Sequence, residues 1–290
     1  MRPPVFIIGN PRSGTTLLRL MLTNHQNIVI PPECGFAVWF YDKYGRLVFS
    51  EKVIDLFIQD VLAARKIETW NLDEARLREY LIQSKVETYA QAVSAVYEFY
   101  GRSLGRTFRR WGDKNNFYLN YIPTIFAIFP SAQFIHIIRD GRDIACSYKT
   151  LGSSQIVSKY APDLPVNIKK IASEWTDNIK KIRSSFEKLP STQVYEVRYE
   201  DLVSQPDQEL TKICDFLGEP YDSAMELYYI KNKIETQEPI EFLQWKAKTL
   251  EKPTNSEVGK YRRELKLEEI KEFEHISASV LNLYNYTLYS

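Results

Sequence analysis

The feature that most constrains this chain is a strand, a turn and a helix close to its first residue. Val5–Ile8 is a continuous β-favouring run, as expected of a parallel strand buried on both faces. A polar turn, Gly9 to Thr16, follows it, and leucines and methionine recur in a helical register from Thr15 to Asn24. Because a helix N-terminus carries unpaired N–H groups and the positive end of the helix dipole, this arrangement predicts an anion site.

The residue types in the turn suit phosphate groups. Gly14 allows a close approach of the backbone, and Arg12 supplies a permanent charge with several hydrogen-bond donors. Further donors are the hydroxyl groups of Ser13, Thr15 and Thr16. A nucleoside-triphosphate loop carries lysine directly after its last glycine, and here that position is threonine. The turn therefore argues against an ordinary ATPase or kinase.

A second anion site is predicted where another strand ends. Gln133–Ile138 is again a continuous apolar run, and Arg139 follows it directly. Ser147 lies eight residues further on, two turns along a predicted helix, so both side chains can reach one phosphate. Taken alone, this segment also fits a simpler interpretation, an arginine–aspartate turn that caps a helix.

Strands alternate with helices along the chain, which predicts an α/β fold. A third strand is predicted at Gln193–Val197, with short strands at Ile28–Ile30 and Arg109–Trp111. Predicted helices are Glu51–Lys66 and one beginning at Glu74, capped by Ser50 and Asp73, then Tyr118–Phe129, Asn167–Lys188, Gln208–Leu217 and Leu267–Leu283. We expect a single domain, residues 1–290, with a mostly parallel central sheet covered by helices on both faces. Ligands should bind at the carboxyl ends of the strands.

Composition excludes several classes of function. The 290 residues include 38 basic and 37 acidic side chains, so a nucleic acid or an anionic membrane is not expected as a partner. Three cysteines and three histidines are dispersed, which predicts neither a disulfide scaffold nor a metal site. Four apolar residues after Pro4 are too few for a secretory signal or a membrane span, so we expect a cytoplasmic protein. The sequence is compatible with a homodimer but does not demand one.

These motifs resemble those of a known family. The segment from Pro11 to Leu18 resembles the 5′-phosphosulfate loop of sulfotransferases that use PAPS (3′-phosphoadenosine 5′-phosphosulfate). Arginine at Arg12, where cytosolic members usually have lysine, is similar to the branch of tyrosylprotein and bacterial sulfotransferases. Arg139 with Ser147 resembles the 3′-phosphate motif of the family. The resemblance implies a P-loop NTPase-like sulfotransferase fold, with PAPS as co-substrate and 3′,5′-ADP as product.

Two later segments extend the resemblance. Arg198–Val203 is similar to the segment whose tyrosine, here Tyr199, contacts the donor nucleotide. The segment 252–262 resembles the loop that covers the donor. That resemblance places Ser256 near the sulfuryl group and either Lys260 or Arg262 near a phosphate. Residues 37–105 and 149–190 carry no motif that matches the family.

Sulfuryl transfer to a hydroxyl group needs a base and positive groups. Glu33 matches the glutamate base of the tyrosylprotein branch, although a helix cap or a surface acid would also explain it. Lys114 resembles the lysine that neutralises the leaving oxygen, although an ordinary surface lysine is the alternative. The resemblance thus implies Glu33 as base, with Arg12, Lys114 and Ser256 stabilising the transition state. A sulfuryl group carries one negative charge fewer than a phosphoryl group, so no metal is expected.

Histidine, the usual base of cytosolic members, is not well placed here. His136 lies inside the second strand and is expected in the core, while His25 and His275 lie at the end of the first helix and in the last one.

Two other functions remain open at this point. The first is a magnesium-dependent P-loop kinase of small molecules, and the second is a non-catalytic nucleotide-binding domain. The acceptor, whether an alcohol, a phenol, a sugar or a tyrosine, cannot be read from the residues. The aromatic run Trp39 to Tyr41 after Glu33 would suit an acceptor pocket, although aromatic residues at such spacing more often belong to the core.

Overall fold

A five-stranded sheet in which every pairing is parallel forms the centre of the fold. The computed structural model describes residues 1–154 and 156–289. The strands are β1 Val5–Ile8, β2 Ile28–Val29, β3 Arg110–Lys114, β4 Gln133–Ile138 and β5 Val194–Arg198. Their order across the sheet is β2-β3-β1-β4-β5. The predicted α/β class with a mostly parallel sheet is confirmed.

Helices connect the strands and cover the sheet. They are α1 Thr15–Thr23, α2 Phe36–Trp39, α3 Tyr41–Tyr44, α4 Glu51–Leu62, α5 Glu74–Gln83, α6 Tyr89–Ser103, α7 Ile122–Ile128, α8 Gly141–Gly152, α9 Ile168–Phe186, α10 Tyr199–Ser204, α11 Pro206–Leu217, α12 Tyr228–Glu235, α13 Ile240–Lys246, α14 Tyr261–Glu264 and α15 Leu267–Leu283. Short 3₁₀ segments lie at Ile67–Trp70, Asn116–Asn120, Ser191–Gln193, Ser223–Leu227, Ala247–Leu250 and Asn255–Glu257. No helix in the described part of the chain has the length and apolarity needed to cross a bilayer.

Both faces of the sheet are buried, which explains why β1 is apolar at every position. Val5 and Ile7 pack in a cluster that includes buried residues of α1 and α11. Phe6 and Ile8 point to the opposite face and pack in a cluster that includes residues of α4, α5 and α6. Successive side chains of a strand face opposite sides, so a sheet covered twice requires an unbroken apolar run.

Several predicted elements agree closely with the structure. The bounds of β1, β4 and α15 are those predicted. Ser50 and Asp73 cap α4 and α5 by accepting from the backbone N–H groups of Val53 and Arg76.

Other predicted elements differ from the structure. The helix predicted from Tyr118 is wrong in its first turn, because residues 116–120 form a 3₁₀ segment and α7 begins only at Ile122. Helix α4 ends at Leu62 rather than Lys66. Helix α6, which starts with a capping box formed by Thr88 and Gln91, was not predicted.

The carboxyl ends of the strands meet at one edge of the sheet, as parallel pairing requires. The polar turn follows β1, Arg139 follows β4, and Tyr199 follows β5. Strand β3 extends three residues beyond the predicted Trp111 and ends at Lys114, which brings this lysine to the same edge. The topology thus gathers motifs that are far apart in the sequence.

Replacing Phe6 tests whether this sheet core is the main source of stability. Four aromatic rings have centroids 5.8 to 6.0 Å from the ring of Phe6, namely those of Trp111, Tyr118, Phe129 and Phe134. Phe6→Ala should lower the free energy of unfolding by about 3–5 kcal/mol because it opens a cavity at the centre of this cluster. Urea denaturation measures the loss, with Phe6→Leu as the control that costs about 1 kcal/mol. An unchanged urea midpoint in the alanine variant would contradict this account of the core.

Candidate active site

The turn after β1 has the backbone geometry of an anion site. Arg12 has a φ of 71° and Gly14 a φ of 97°, so both lie in the left-handed region. Helix α1 begins at Thr15 without a side-chain cap on its first turn. The first N–H groups of a helix have no acceptor within the helix, and successive N–H groups in such a turn form a concave nest. A left-handed arginine is uncommon and strained, which points to a functional turn.

Tyr199 packs directly on this turn. A Cβ atom added to Gly14 would lie 2.6 Å from Cδ2 of Tyr199, so only glycine fits beneath the ring. The centroid of the same ring lies 4.3 Å from the guanidinium carbon of Arg139. Three residues predicted for the donor site are therefore packed together, although they follow three different strands.

Buried polar atoms in and beside the turn lack hydrogen-bond partners. Within the described residues, Nε of Arg12, Oγ of Ser13 and Nε of Arg139 are buried and unpaired. Burial lowers the pKa of Arg12, and the neighbouring charge of Arg139 lowers it further. Buried polar groups are normally paired, so this cluster of cationic and hydroxyl groups is suited to an anionic ligand.

The second predicted anion site lies beside the first. Nη1 of Arg139 donates to the carbonyl of Arg12 at 3.2 Å, and Nη2 donates to the carbonyl of Glu257 at 2.8 Å. Ser147 accepts from Nζ of Lys260 at 3.3 Å. The simpler interpretation, a capped helix, is also correct, because Asp140 caps α8 and pairs with Arg142. Asp140 pairs with Arg142 and not with Arg139. The side chain of Arg139 instead contacts the turn after β1.

The loop predicted to cover the donor is tied to α8. The carboxylate of Asp143 accepts from the N–H groups of Gly259 at 2.8 Å and Tyr261 at 3.0 Å. Ser256 is exposed in this loop and shares a hydrogen bond of 2.7 Å with Thr254. Arg262 is exposed and lies against the ring of Tyr261, 5.3 Å from its centroid.

Glu33 and Lys114 form a buried ion pair beside the turn. The Nζ atom of Lys114 bonds to Oε1 of Glu33 and, at 3.1 Å, to the hydroxyl of Thr16. Two more lysines surround the same carboxylate, Lys66 at 2.7 Å and Lys246 at 3.2 Å. Lys114 is fully buried, so it is not an ordinary surface lysine. Glu33 is not a surface acid either, and it does not cap α2.

The three lysines determine the ionisation of Glu33. Burial alone would raise the pKa of this carboxyl group, but the charges of Lys114, Lys246 and Lys66 hold it well below its ordinary value. Burial lowers the pKa of Lys114, and the charge of Glu33 opposes that shift. At neutral pH the site therefore contains a carboxylate that is free of a proton, next to a concentration of positive charge.

One cavity of about 1230 Å³ joins these groups. Ten of the predicted site residues line it: Arg12, Gly14, Thr15, Thr16, Glu33, Arg139, Ser147, Tyr199, Ser256 and Lys260. Ser13 and Lys114 are fully buried in the segments that form its wall. Arg262 is not part of the lining, so of the two cations left open in the loop it is Lys260 that reaches the cavity.

Part of the charged cluster around Glu33 was not predicted from the sequence. Lys66 and Lys246 contact Glu33, and a second buried acid, Glu238, contacts Lys246 at 2.5 Å. Lys66 fell within a predicted helix, but it lies after the end of α4 with a φ of 76°. No spacing links these positions to Glu33, so the sequence offered no signal for them.

The aromatic run after Glu33 lies partly in the cavity and partly against the core, so each of the two interpretations, acceptor pocket and core, holds for part of it. Trp39 lines the cavity and is stacked on Phe117, with ring centroids 5.6 Å apart. Phe40 and Tyr41 pack against the core. One aromatic side chain of the run is thus available to an acceptor.

None of the histidines lies in the cavity lining. His136 is buried in β4 and bonds through Nδ1 to Glu196 at 2.9 Å, as expected of a core histidine. His25 bonds to the carbonyl of Pro220 at 2.8 Å, and His275 is exposed. Across residues 1–154 and 156–289 there is no group of three histidine, cysteine or acidic side chains arranged to hold a metal ion.

A family model gives the class of this protein. The model of the sulfotransferase family matches residues 3–223, so the chain belongs to the sulfotransferase family. Among curated relatives, the protein-tyrosine sulfotransferase of Drosophila melanogaster is 24% identical over 77% of this chain and 39% of its own length. The omega-hydroxy-beta-dihydromenaquinone-9 sulfotransferase Stf3 of Mycobacterium bovis is 26% identical over 74% of this chain and 63% of its own length. The chain thus matches less than two thirds of either relative.

Solved structures share the fold. The sulfotransferase domain of the Synechococcus PCC 7002 olefin synthase superposes with a TM-score of 0.63 at 22% identity, covering 96% of each chain. Mouse SULT7A1, complexed with PAP, gives a TM-score of 0.51 at 12% identity, covering 98% of this chain and 85% of its own. The predicted P-loop-like sulfotransferase fold and the family resemblance are both confirmed.

Glu33→Gln tests the balance of charge in the buried cluster. The variant leaves two buried lysines and the partly buried Lys66 without their shared carboxylate and should lower the free energy of unfolding by about 3 kcal/mol at pH 7. The pKa of Glu33 is lower in the folded protein than its ordinary value of 4.5. Its stabilising effect is therefore complete above that value and is lost as the pH falls through the folded pKa.

Urea denaturation of both proteins between pH 7 and pH 3 measures this difference. We expect the gap in stability between wild type and Glu33→Gln to narrow below about pH 4.5. Equal stability of the two proteins at pH 7 would show that the lysines do not depend on this carboxylate.

Proposed function

We propose that this chain is a PAPS-dependent sulfotransferase that moves the sulfuryl group of PAPS to a hydroxyl-bearing acceptor. The observation that carries the proposal is the cavity in which two anion sites meet a buried glutamate–lysine pair. Each anion site alone would suit many phosphate ligands. A donor with separate 5′ and 3′ anionic groups needs two anion sites that lie side by side.

The two anion sites divide the donor between them. The backbone of the turn, Arg12 and the hydroxyls of Ser13, Thr15 and Thr16 bind the 5′-phosphosulfate. Arg139, Ser147 and Lys260 bind the 3′-phosphate, and Tyr199 contacts the nucleoside. The mouse relative of this fold holds PAP, which is 3′,5′-ADP, the product that PAPS leaves after transfer. That finding supports the same ligand here.

The reaction is an in-line displacement at sulfur. The acceptor oxygen attacks the sulfur atom and forms a new S–O bond, while the bond between sulfur and the bridging oxygen of the 5′-phosphate breaks. The electron pair of the broken bond remains on that oxygen, and 3′,5′-ADP leaves. Glu33 takes the proton of the acceptor hydroxyl. The products are a sulfate ester and 3′,5′-ADP.

Lys114 links the donor to the base. Its ammonium group contacts both Thr16 of the turn and Glu33. When a donor oxygen takes part of the hydrogen bonding of Lys114, the hold of this lysine on Glu33 weakens and the pKa of Glu33 rises. Glu33 thus becomes a stronger base once the donor is in place. Arg12, Lys114 and Ser256 then stabilise the charge that develops on the bridging oxygen.

The proposal needs fixed cations rather than a metal ion. Arg12 and Lys114 supply positive charge at the position where charge develops, and the sulfuryl group carries less charge than a phosphoryl group. Thr15 occupies the position at which a P-loop kinase carries its lysine. The experiments below test the proposal against two alternatives, a kinase and a non-catalytic nucleotide-binding domain.

Ligand stabilisation separates the donor from ATP. A ligand that binds the folded state at about 100 times its dissociation constant adds roughly 2.7 kcal/mol to the free energy of unfolding. We expect thermal denaturation to show this stabilisation with 3′,5′-ADP and not with ATP and magnesium. Stabilisation by ATP and magnesium alone would overturn the proposal in favour of a kinase.

A matched pair of glycine variants serves as the control for that measurement. Gly14→Ala puts a methyl group against Tyr199 in the turn and should abolish most of the stabilisation by 3′,5′-ADP. Gly105 has a similar φ of 70°, but a Cβ atom there meets nothing within 4 Å. Gly105→Ala therefore introduces the same kind of backbone strain away from the cavity and should retain the response to 3′,5′-ADP.

Replacing the proposed base should slow sulfuryl transfer without preventing the binding of the donor. A positioned general base contributes about 10²–10⁴-fold in rate, so Glu33→Gln should reduce turnover by a factor of this order. The assay follows labelled sulfuryl transfer from PAPS to a panel of alcohols, phenols, sugars and tyrosine peptides. Wild-type protein that binds 3′,5′-ADP but modifies nothing, with the variant indistinguishable from it, would favour a non-catalytic domain.

A further inference from the structure

Lys246 joins two buried carboxylates. Its Nζ atom lies 2.5 Å from Oε1 of Glu238 and 3.2 Å from Oε1 of Glu33. It is the last residue of the short helix α13, and it is 8% exposed. Its two carboxylate partners are buried as well. The lysine is therefore held between the proposed base and an acid that has no part in the chemistry described so far.

Glu238 is itself fixed by the helix that follows the donor turn. Nη2 of Arg19, in α1, lies 2.5 Å from Oε2 of Glu238. The same guanidinium donates to the carbonyl groups of Ile30 at 3.0 Å and Gln237 at 2.9 Å, which fixes its orientation. Arg19 is only 1% exposed. Charges alternate without a gap from α1 to the base, in the order Arg19, Glu238, Lys246, Glu33.

The neighbouring residue of α13 contacts the donor turn. The carbonyl of Trp245 accepts a hydrogen bond of 2.9 Å from Nη1 of Arg12. Consecutive residues, Trp245 and Lys246, thus contact the two halves of the proposed site, the turn and the base. A small displacement of α13 would change the contact with Arg12 and the contact with Glu33 at the same time.

Stability alone does not account for this arrangement. Burying a lysine and two carboxylates costs several kcal/mol of solvation, and well-packed apolar side chains of similar volume often serve stability as well or better. What the charged arrangement adds is a fixed direction for the carboxylate of Glu33. Lys114 and Lys246 share Oε1 of Glu33, whereas Lys66 contacts Oε2. When Lys114 turns toward the donor during transfer, the position of Oε1 therefore depends on Lys246.

We propose that Lys246 is a positioning residue for Glu33, held in place by Glu238 and Arg19. The inference rests on the proposed function and adds a residue to it. Lys246 orients the carboxylate and keeps it ionised while Lys114 engages the leaving oxygen. The charged groups that face Glu33 are Lys66, Lys114 and Lys246 in direct contact, with Glu238 behind Lys246.

The test compares Lys246→Met with Lys246→Arg in the full chain. In the methionine variant we expect kcat to fall about tenfold, a part of what the whole base contributes, while the KM for PAPS stays close to wild type. Lys246 is one of the charges that lower the pKa of Glu33, so its loss raises that pKa and should move the acid limb of the kcat profile to higher pH. The arginine variant keeps the charge and should recover most of the rate.

A double-mutant cycle shows whether Lys246 acts through Glu33. If it does, adding Lys246→Met to Glu33→Gln should cause no further loss of kcat. Lys43→Met is the matched control, since Lys43 pairs with Asp60 on the surface and should leave the rate and the pH profile unchanged. Should Lys246→Met fail to fold, Glu238→Gln with Lys246→Met removes one charge of each sign and is expected to give the same kinetic result.

Two results would overturn the inference. The first is a Lys246→Met variant whose kcat and pH profile are those of the wild type. The second is a loss of kcat on adding Lys246→Met that is equally large in the wild type and in the Glu33→Gln variant. Failure of the proposed function looks different, because wild type would then transfer no sulfuryl group and 3′,5′-ADP would not stabilise it. Stabilisation of Lys246→Met by 3′,5′-ADP establishes that the variant is folded when its kinetics are compared.

Discussion

The arrangement of this site depends on a single buried carboxylate and the cations that neutralise it. A charge removed from water must be paired, and Glu33 is paired by lysines from three separate parts of the chain. Lys114 comes from β3, Lys66 from the segment after α4, and Lys246 from the end of α13. These segments can meet only when the sheet and its covering helices are assembled. The charged cluster therefore belongs to the folded state as a whole.

The parallel sheet makes that assembly compatible with a donor site. Because all strands run in one direction, their carboxyl ends deliver the turn, Arg139, Lys114 and Tyr199 to the same edge. Apolar residues on both faces of the strands hold this edge together with Tyr199, while the charged side chains of the site lie outside these clusters. The division is clear in β1, where four apolar residues build the core and the following turn carries the chemistry.

Local patterns made the donor turn and the central strands predictable, but not the charged cluster. A strand, a glycine-containing turn and a helix follow one another without interruption, so the anion site after β1 can be read directly from the residues. The lysines at Lys66 and Lys246 could not be read, because Lys246 is separated from Glu33 by 213 positions and no periodicity joins them. The end of β3 was missed for a related reason. Asp113 and Lys114 are buried by hydrogen bonds and ion pairs, which leave no apolar signal in the sequence.

The left-handed backbone of Arg12 has a thermodynamic consequence. A residue other than glycine in this conformation costs of order 1–3 kcal/mol, and the surrounding structure must supply that amount when the chain folds. The turn is then already in its concave shape before any ligand arrives. Little conformational entropy remains to be lost on binding, so a larger share of each contact with an anion appears as affinity. Part of the free-energy cost of ordering the binding site is therefore met during folding and not during binding.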